Sequence, residues 1–168
     1  HFGFNPFDVD ILILSHAHID HSGLIPKLVK DGFKGKIYAT PATIDLCRLM
    51  LEDSGSIQEA DVVYINKRRK RRGESALKAL YSEEDAIKAL KFFILFSYNT
   101  WFNINDEVKF QFTDSGHVLG SAAVNLVVKE DGHETRLFFS ADIGRPGDQI
   151  LRKPEPFHSD RSSLTLKF

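Results

Sequence analysis

A single cysteine, Cys47, stands in a chain of 168 residues. No internal disulfide can form, so a disulfide-stapled secreted fold is excluded and a reducing, cytoplasmic setting is expected. Surplus charge is also missing: 22 Lys and Arg face 23 Asp and Glu, a net of −1. That balance excludes a globally basic nucleic-acid binder, although charge can still be concentrated locally. Long apolar runs are absent. Phe92-Phe93-Ile94-Leu95-Phe96 is strand-sized, far below the ~18–20 residues of a membrane-spanning helix. No basic segment followed by an apolar one opens the chain, so no signal peptide is read. No internal repeat is found. The apolar share of 42% excludes wholesale disorder. The chain starts at His1 rather than Met, and the expectation is a segment of something longer.

Hydrophobic patterning indicates a mixed α/β chain. Ile11-Leu12-Ile13-Leu14, after Asp8-Val9-Asp10, is an uninterrupted apolar run suited to a buried strand. A polar loop from Ser15 to Gly23 follows, then a short helix over 24–30 and a short strand over 36–39. Thr40 and Pro41 read as the N-cap and first position of a helix with Ile44, Leu46, Cys47, Met50 and Leu51 on its apolar face. Ser56-Ile57-Gln58-Glu59 has the form of a capping box and predicts a new helix from there to about Arg72, ended by Gly73. Ser82, followed by Glu83, Glu84 and Asp85, starts another. From Phe93 the texture is β. Val108, Phe110 and Phe112 alternate with polar residues, and Asp131-Gly132 between two apolar stretches predicts a hairpin.

The densest chemistry lies in Ser15-His16-Ala17-His18-Ile19-Asp20-His21. In an extended segment, residues two apart point the same way, so His16 and His18 can reach one metal. A bend beyond them would carry Asp20 and His21 toward a second metal beside it. Imidazole and carboxylate together suit Zn²⁺ or a similar ion; the competing reading is a His-rich polar loop. Two further strand ends add donors, His117 in Asp114-Ser115-Gly116-His117 and Asp142 in Ser140-Ala141-Asp142. Lys67-Arg68-Arg69-Lys70-Arg71-Arg72 is a run of six cations, either a solvated helix end or a candidate phosphate contact for nucleic acid. The aromatic group Phe92, Phe93, Phe96, Tyr98, Trp101 and Phe102 is read as core in preference to a base-stacking surface.

These segments together resemble the metallo-β-lactamase-fold hydrolases. Five stretches, at 15–26, 37–43, 81–86, 114–122 and 140–146, look like the β-CASP branch of RNA-processing nucleases. The resemblance covers residues 1–156, a partial domain that includes the start of a helical segment at 56–92; the tail 157–168 has no counterpart. It implies an αββα four-layer sandwich, represented in part. It also implies two zinc ions, the first held by His16, His18 and His117, the second by Asp20 and His21, with Asp142 bridging them. Asp20 and Asp142 would be the catalytic carboxylates, and Asp10 would support a ligand histidine, unless it is simply a strand-start residue facing solvent. A metal-activated hydroxide would attack an RNA phosphodiester. The family's further strands, cap domain and late histidines have no match here. The second zinc therefore lacks a ligand, and this segment alone is expected to be weak or inactive. Two alternatives stand beside the nuclease reading: a thioester or lactam hydrolase of the same fold, and a non-catalytic zinc-binding module. The second would form homo-oligomers through exposed sheet edges.

Overall fold

Three short parallel strands, β1 (Ile11–Ile13), β2 (Lys36–Ala39) and β3 (Phe93–Leu95), form one sheet in the order β1-β2-β3. The second sheet has five strands in sequence order: β4 (Trp101–Asn103), β5 (Val108–Asp114), β6 (Ala122–Glu130), β7 (His133–Phe139) and β8 (Ser163–Leu166). Its pairings are antiparallel except β7 with β8, which is parallel. These elements come from a computed structural model, which describes residues 2–155 and the strand 163–166. Four residues of the tail, 163–166, add β8 to the second sheet. His158 of that tail lies outside the described residues.

Two cores explain the layering. Helices α2 (Ile25–Lys30), α3 (Pro41–Arg71) and α4 (Glu83–Leu90) cover one face of the first sheet. Leu28, Cys47, Leu51, Tyr81, Ala86 and Ala89 meet Ile37 and Ala39 there. On the other face, Tyr38 of β2 packs with Phe110, Phe112 and Val124 of the second sheet. The alternation seen in β5 is what aims Phe110 and Phe112 into this space, where both are fully buried. Phe96 and Phe102 join them with ring centroids 5.4 and 5.5 Å from Phe110, so these two are core, as expected. Three of the four expected layers are present; no helix covers the outer face of the five-stranded sheet among the described residues. Among those residues no helix is long and apolar enough to cross a membrane.

Most predicted elements appear within a residue or two. Thr40 caps α3, Ser82 and Asp85 form a reciprocal capping box at α4, and Asp131 and Gly132 both take positive φ in the β6–β7 turn. Cys47 is buried against Ser22, and burial pushes its thiol up to about 12, which keeps it inert.

Two readings need correction. The loop from Ser15 to Gly23 contains a one-turn helix, α1 (Ile19–Ser22), held by the Ser22 hydroxyl donating to Ala17 O at 2.7 Å and His18 O at 3.0 Å. The expected break before Ser56 does not occur: α3 runs unbroken for 31 residues. Gly55 ends nothing. It is buried where a side chain could not fit, since a Cβ there would lie 2.7 Å from the Glu83 backbone nitrogen. Glu59 does act as a cap, but for the next helix: its Oε2 accepts the Glu83 N–H of α4 at 3.1 Å.

Candidate metal centre

Three chain segments converge at the C-terminal end of β1. Leu14 N–H donates to Tyr38 O, continuing the strand's pairing one residue further before the chain turns out of the sheet into His16 and His18. The second segment is the loop after β5. Its Gly120, at φ +83, has no room for a Cβ, which would lie 2.6 Å from Thr43 N. Gly120 O accepts the Thr40 and Thr43 hydroxyls at 2.6 and 2.9 Å, so the first turn of α3 grips the His117 loop. Within that loop, Ser121 Oγ accepts the N–H groups of His117 and Val118 at 3.0 and 3.1 Å. The third segment follows β7, where Ala141 takes a left-handed φ of 49° just before Asp142. Two backbone bonds stitch the segments together: Ala122 N–H to Ser15 O and Gly144 N–H to Ser115 O, each 2.8 Å.

The side chains delivered this way aim at one point. His16 Nε2 and His117 Nε2 each lie 3.2 Å from His18 Nδ1. Asp142 Oδ2 lies 3.3 Å from His117 Nε2 and 3.7 Å from His16 Nε2. All four donor atoms fall within 4.8 Å of one another. Donors placed tetrahedrally ~2.0–2.1 Å from a zinc ion are separated by ~3.3–3.4 Å, so the spacing suits a single cation. The chemistry of the set agrees. His16 is fully buried; burial, reinforced by His21 and His18 and opposed by Asp142, lowers its pKa to about 4. It is neutral near pH 7, the form that binds metal. Its other nitrogen, Nδ1, meets Ser15 Oγ at 3.1 Å, which leaves Nε2 free to coordinate. Three ring nitrogens and a carboxylate oxygen converging without a cation would crowd lone pairs together; a divalent ion resolves that. His16, His18, His117 and Asp142 could hold one.

Asp20 and His21 lie to one side. His21 Nε2 is 3.6 Å from Asp20 Oδ2 and 3.9 Å from Asp142 Oδ2, and the Asp20 side chain is 75% exposed. Asp142 faces both groups. Asp10 does not support a histidine: it is exposed before β1, while His16 and His18 follow the strand's other end. No contact joins it to a histidine among the described residues. The side-chain partner of His16 Nδ1 is instead Ser15 Oγ. The basic run Lys67 to Arg72 lies at the far end of α3, outside this site. Next to His21, a cavity of about 330 Å³ opens between the sheets, lined by Ile11, Ile13, Val124, Leu126 and Phe139.

Ser15, Thr40, Thr43 and Ser121 are the supporting residues that sequence reasoning missed. Thr40 and Ser121 carried a partial signal, as a helix cap and as part of a Gly-Ser turn.

The chain is 31% identical over 165 residues to Ribonuclease TTHA0252 of Thermus thermophilus, covering 98% of this chain and 32% of that protein. It is 32% identical over 148 residues to Transcription termination factor FttA of Methanocaldococcus jannaschii, covering 88% of this chain and 21% of that one. The chain therefore spans a third or less of these relatives. Among solved structures, MEM-A1, a subclass B3 metallo-beta-lactamase from a soil metagenome library, superposes with a TM-score of 0.53 at 17% identity. That match covers 90% of this chain and 51% of MEM-A1, and it shows the fold alone. The sequence pattern of the metallo-beta-lactamase superfamily spans residues 2–168, and the chain belongs to that family.

Proposed function

We propose that the chain is the metal-binding part of a zinc-dependent ribonuclease, with His16, His18, His117 and Asp142 holding the first ion. The observation that carries this is the convergence of those four donor atoms from three strand ends. Relatives named as a ribonuclease and a transcription termination factor support RNA as the substrate class. A bound divalent ion at this place supplies Lewis-acid polarisation of a phosphodiester and acidifies a water.

The chain's own residues have separate tasks. His16, buried and neutral, is a fixed donor that cannot swing away. Asp142 Oδ2 faces His117 and His16 on one side and His21 on the other, so one carboxylate serves both groups. Asp20, at the open side, is placed to take a proton from an attacking water at Oδ2 and release it to solvent. His21 Nε2 lies between the Asp20 and Asp142 carboxylates and would complete the second group with them.

Incubation of the zinc-loaded chain with a labelled RNA, with and without chelator, tests this reading. Cleavage that requires zinc and is lost in His18→Ala is the expected result. A stably folded chain that binds no zinc would overturn it. One observation favours a second reading: the apolar cavity beside His21 would accept an acyl chain better than a phosphodiester. Zinc-dependent hydrolysis of a thioester, with no cleavage of RNA, would select it.

A further inference from the structure

We propose that the second half of α3 and the segment returning from it form an arm that binds the phosphate backbone of RNA at a distance from the metal centre. This rests on the ribonuclease reading and extends it to substrate positioning.

Charge is divided unevenly along the chain. Between Val62 and Leu80, seven Lys and Arg accompany one acid, a net of +6 in a chain whose total is −1. The remainder is correspondingly acidic, at −7. The largest run of positive charge in the sequence is therefore on this one projection.

That projection is built so that its cations face outward. A stripe of Gln58, Val62, Asn66 and Arg69, spaced at the helical period, is half-buried against the returning segment. Asn66 clamps Leu77 with two bonds, donating to its carbonyl at 2.9 Å and accepting its N–H at 2.8 Å. Arg69 Nε donates to Ser75 O at 2.7 Å, and its guanidinium pairs with Glu74 at 3.0 Å. Glu59 holds the start of α4. Arg69 is thus consumed in shaping the arm. Lys67, Arg68, Lys70, Arg71 and Arg72 are exposed and make no ion pair among the described residues. Tyr64, 65% exposed, lies one turn before Arg68 on the same face.

Complementing the helix dipole needs only one or two cations in the last turn. Five unpaired ones instead repel each other at three- and four-residue spacings: Lys67 with Lys70 and Arg71, Arg68 with Arg71 and Arg72. A polyanion laid along them relieves that repulsion. Phosphodiesters suit the site better than a compact acidic ligand, because the charges lie along a rod and form no pocket.

The helix also fixes the separation. Its first turn grips the His117 loop, and its last turn is about 45 Å away at 1.5 Å per residue. A stacked strand advances about 3.4 Å per nucleotide, so on the order of a dozen nucleotides would link the two ends. Long RNAs should use the arm, and short ones should not reach it.

The test measures binding of the full chain to a labelled single-stranded RNA of about 30 nucleotides across a salt series. The comparison is with the combined variant Lys67→Gln, Arg68→Gln, Lys70→Gln, Arg71→Gln and Arg72→Gln. We expect the variant's salt slope to be shallower by about 0.7 per lost contact, up to about 3.5. Affinity at about 100 mM salt should fall at least tenfold. A second variant with Arg68, Arg71 and Arg72 changed to Lys keeps the charge and should keep the slope. Cleavage of an RNA of about six nucleotides, too short to span the distance, should be equal in wild type and the Gln variant. Equal slopes and affinities for the 30-nucleotide RNA would overturn the proposal while leaving the ribonuclease reading intact. Failure of the wild type to bind RNA while it captures a polyglutamate peptide would overturn the arm's assignment to RNA. Loss of all RNA binding and cleavage in the zinc-loaded wild type would overturn both readings.

Discussion

From Pro41 to Gly55 the helix α3 runs through the core, and from Ser56 to Arg71 it runs through solvent. Thr43, Cys47, Leu51 and Gly55 are buried in the first half. Ile57, Val63 and Tyr64 are 52%, 59% and 65% exposed in the second. The first half is tied to the metal centre through Thr40 and Thr43 on the Gly120 carbonyl. Among the described residues the second is tied by polar bonds, Asn66 and Arg69 to its own returning segment and Glu59 to the start of α4. Helical continuity therefore does not imply uniform energetics. Burial fixes one half, whereas propensity and a few polar bonds maintain the other, which leaves its charges available for a partner.

The contrast can be broken most directly by paired truncations. Leu51→Ala should cost about 2–5 kcal/mol in chemical denaturation, because its site cannot collapse. Ile57→Ala, six residues on, should stay within about 0.5 kcal/mol. Similar costs at both positions would erase the distinction. Next, Gly55→Ala places a methyl against the backbone of Glu83. It should destabilise by about 1–3 kcal/mol, and a neutral result would mean that α4 is not seated on α3 as described.

A smaller, pH-dependent effect marks the same boundary. Lys30 Nζ lies 2.7 Å from Asp85 Oδ2 and, with the Ser82 N–H, holds the Asp85 carboxyl below the usual carboxylate range. A depressed folded-state value means that the stabilisation is complete above the unfolded pKa of ~3.9. It is lost as pH falls through the folded-state value. Asp85→Ala should therefore cost about 1 kcal/mol near neutrality, with the gap to wild type closing in acid. A gap independent of pH would remove the ion pair and capping box from the account.

What could be read from the sequence follows the same division between local and distant causes. His16, His18, Asp20 and His21 stand together directly after a strand, so local spacing sufficed to suggest a metal. His117 and Asp142 each ended a recognisable strand. The grip of Thr40 and Thr43 on Gly120 could not be read, because it joins residues 80 and 77 apart. The pattern at Ser56 misled for a related reason. A capping box signals a start only if no helix is already running, and α3 had been started at Thr40. Glu59, half of that pattern, found its partner 24 residues away at Glu83. Asp10 was placed beside a histidine by resemblance, but β1 separates them.

The central claim is that three strand ends deliver four donors to one cation. Calorimetric titration of the chelator-treated chain with Zn²⁺ tests it, using one substitution from each segment: His16→Ala, His117→Ala and Asp142→Ala. The account predicts one tight ion in the wild type, with affinity lowered more than about 100-fold by each substitution. A folded chain that binds no zinc, or that binds it equally well without His117, would contradict the account.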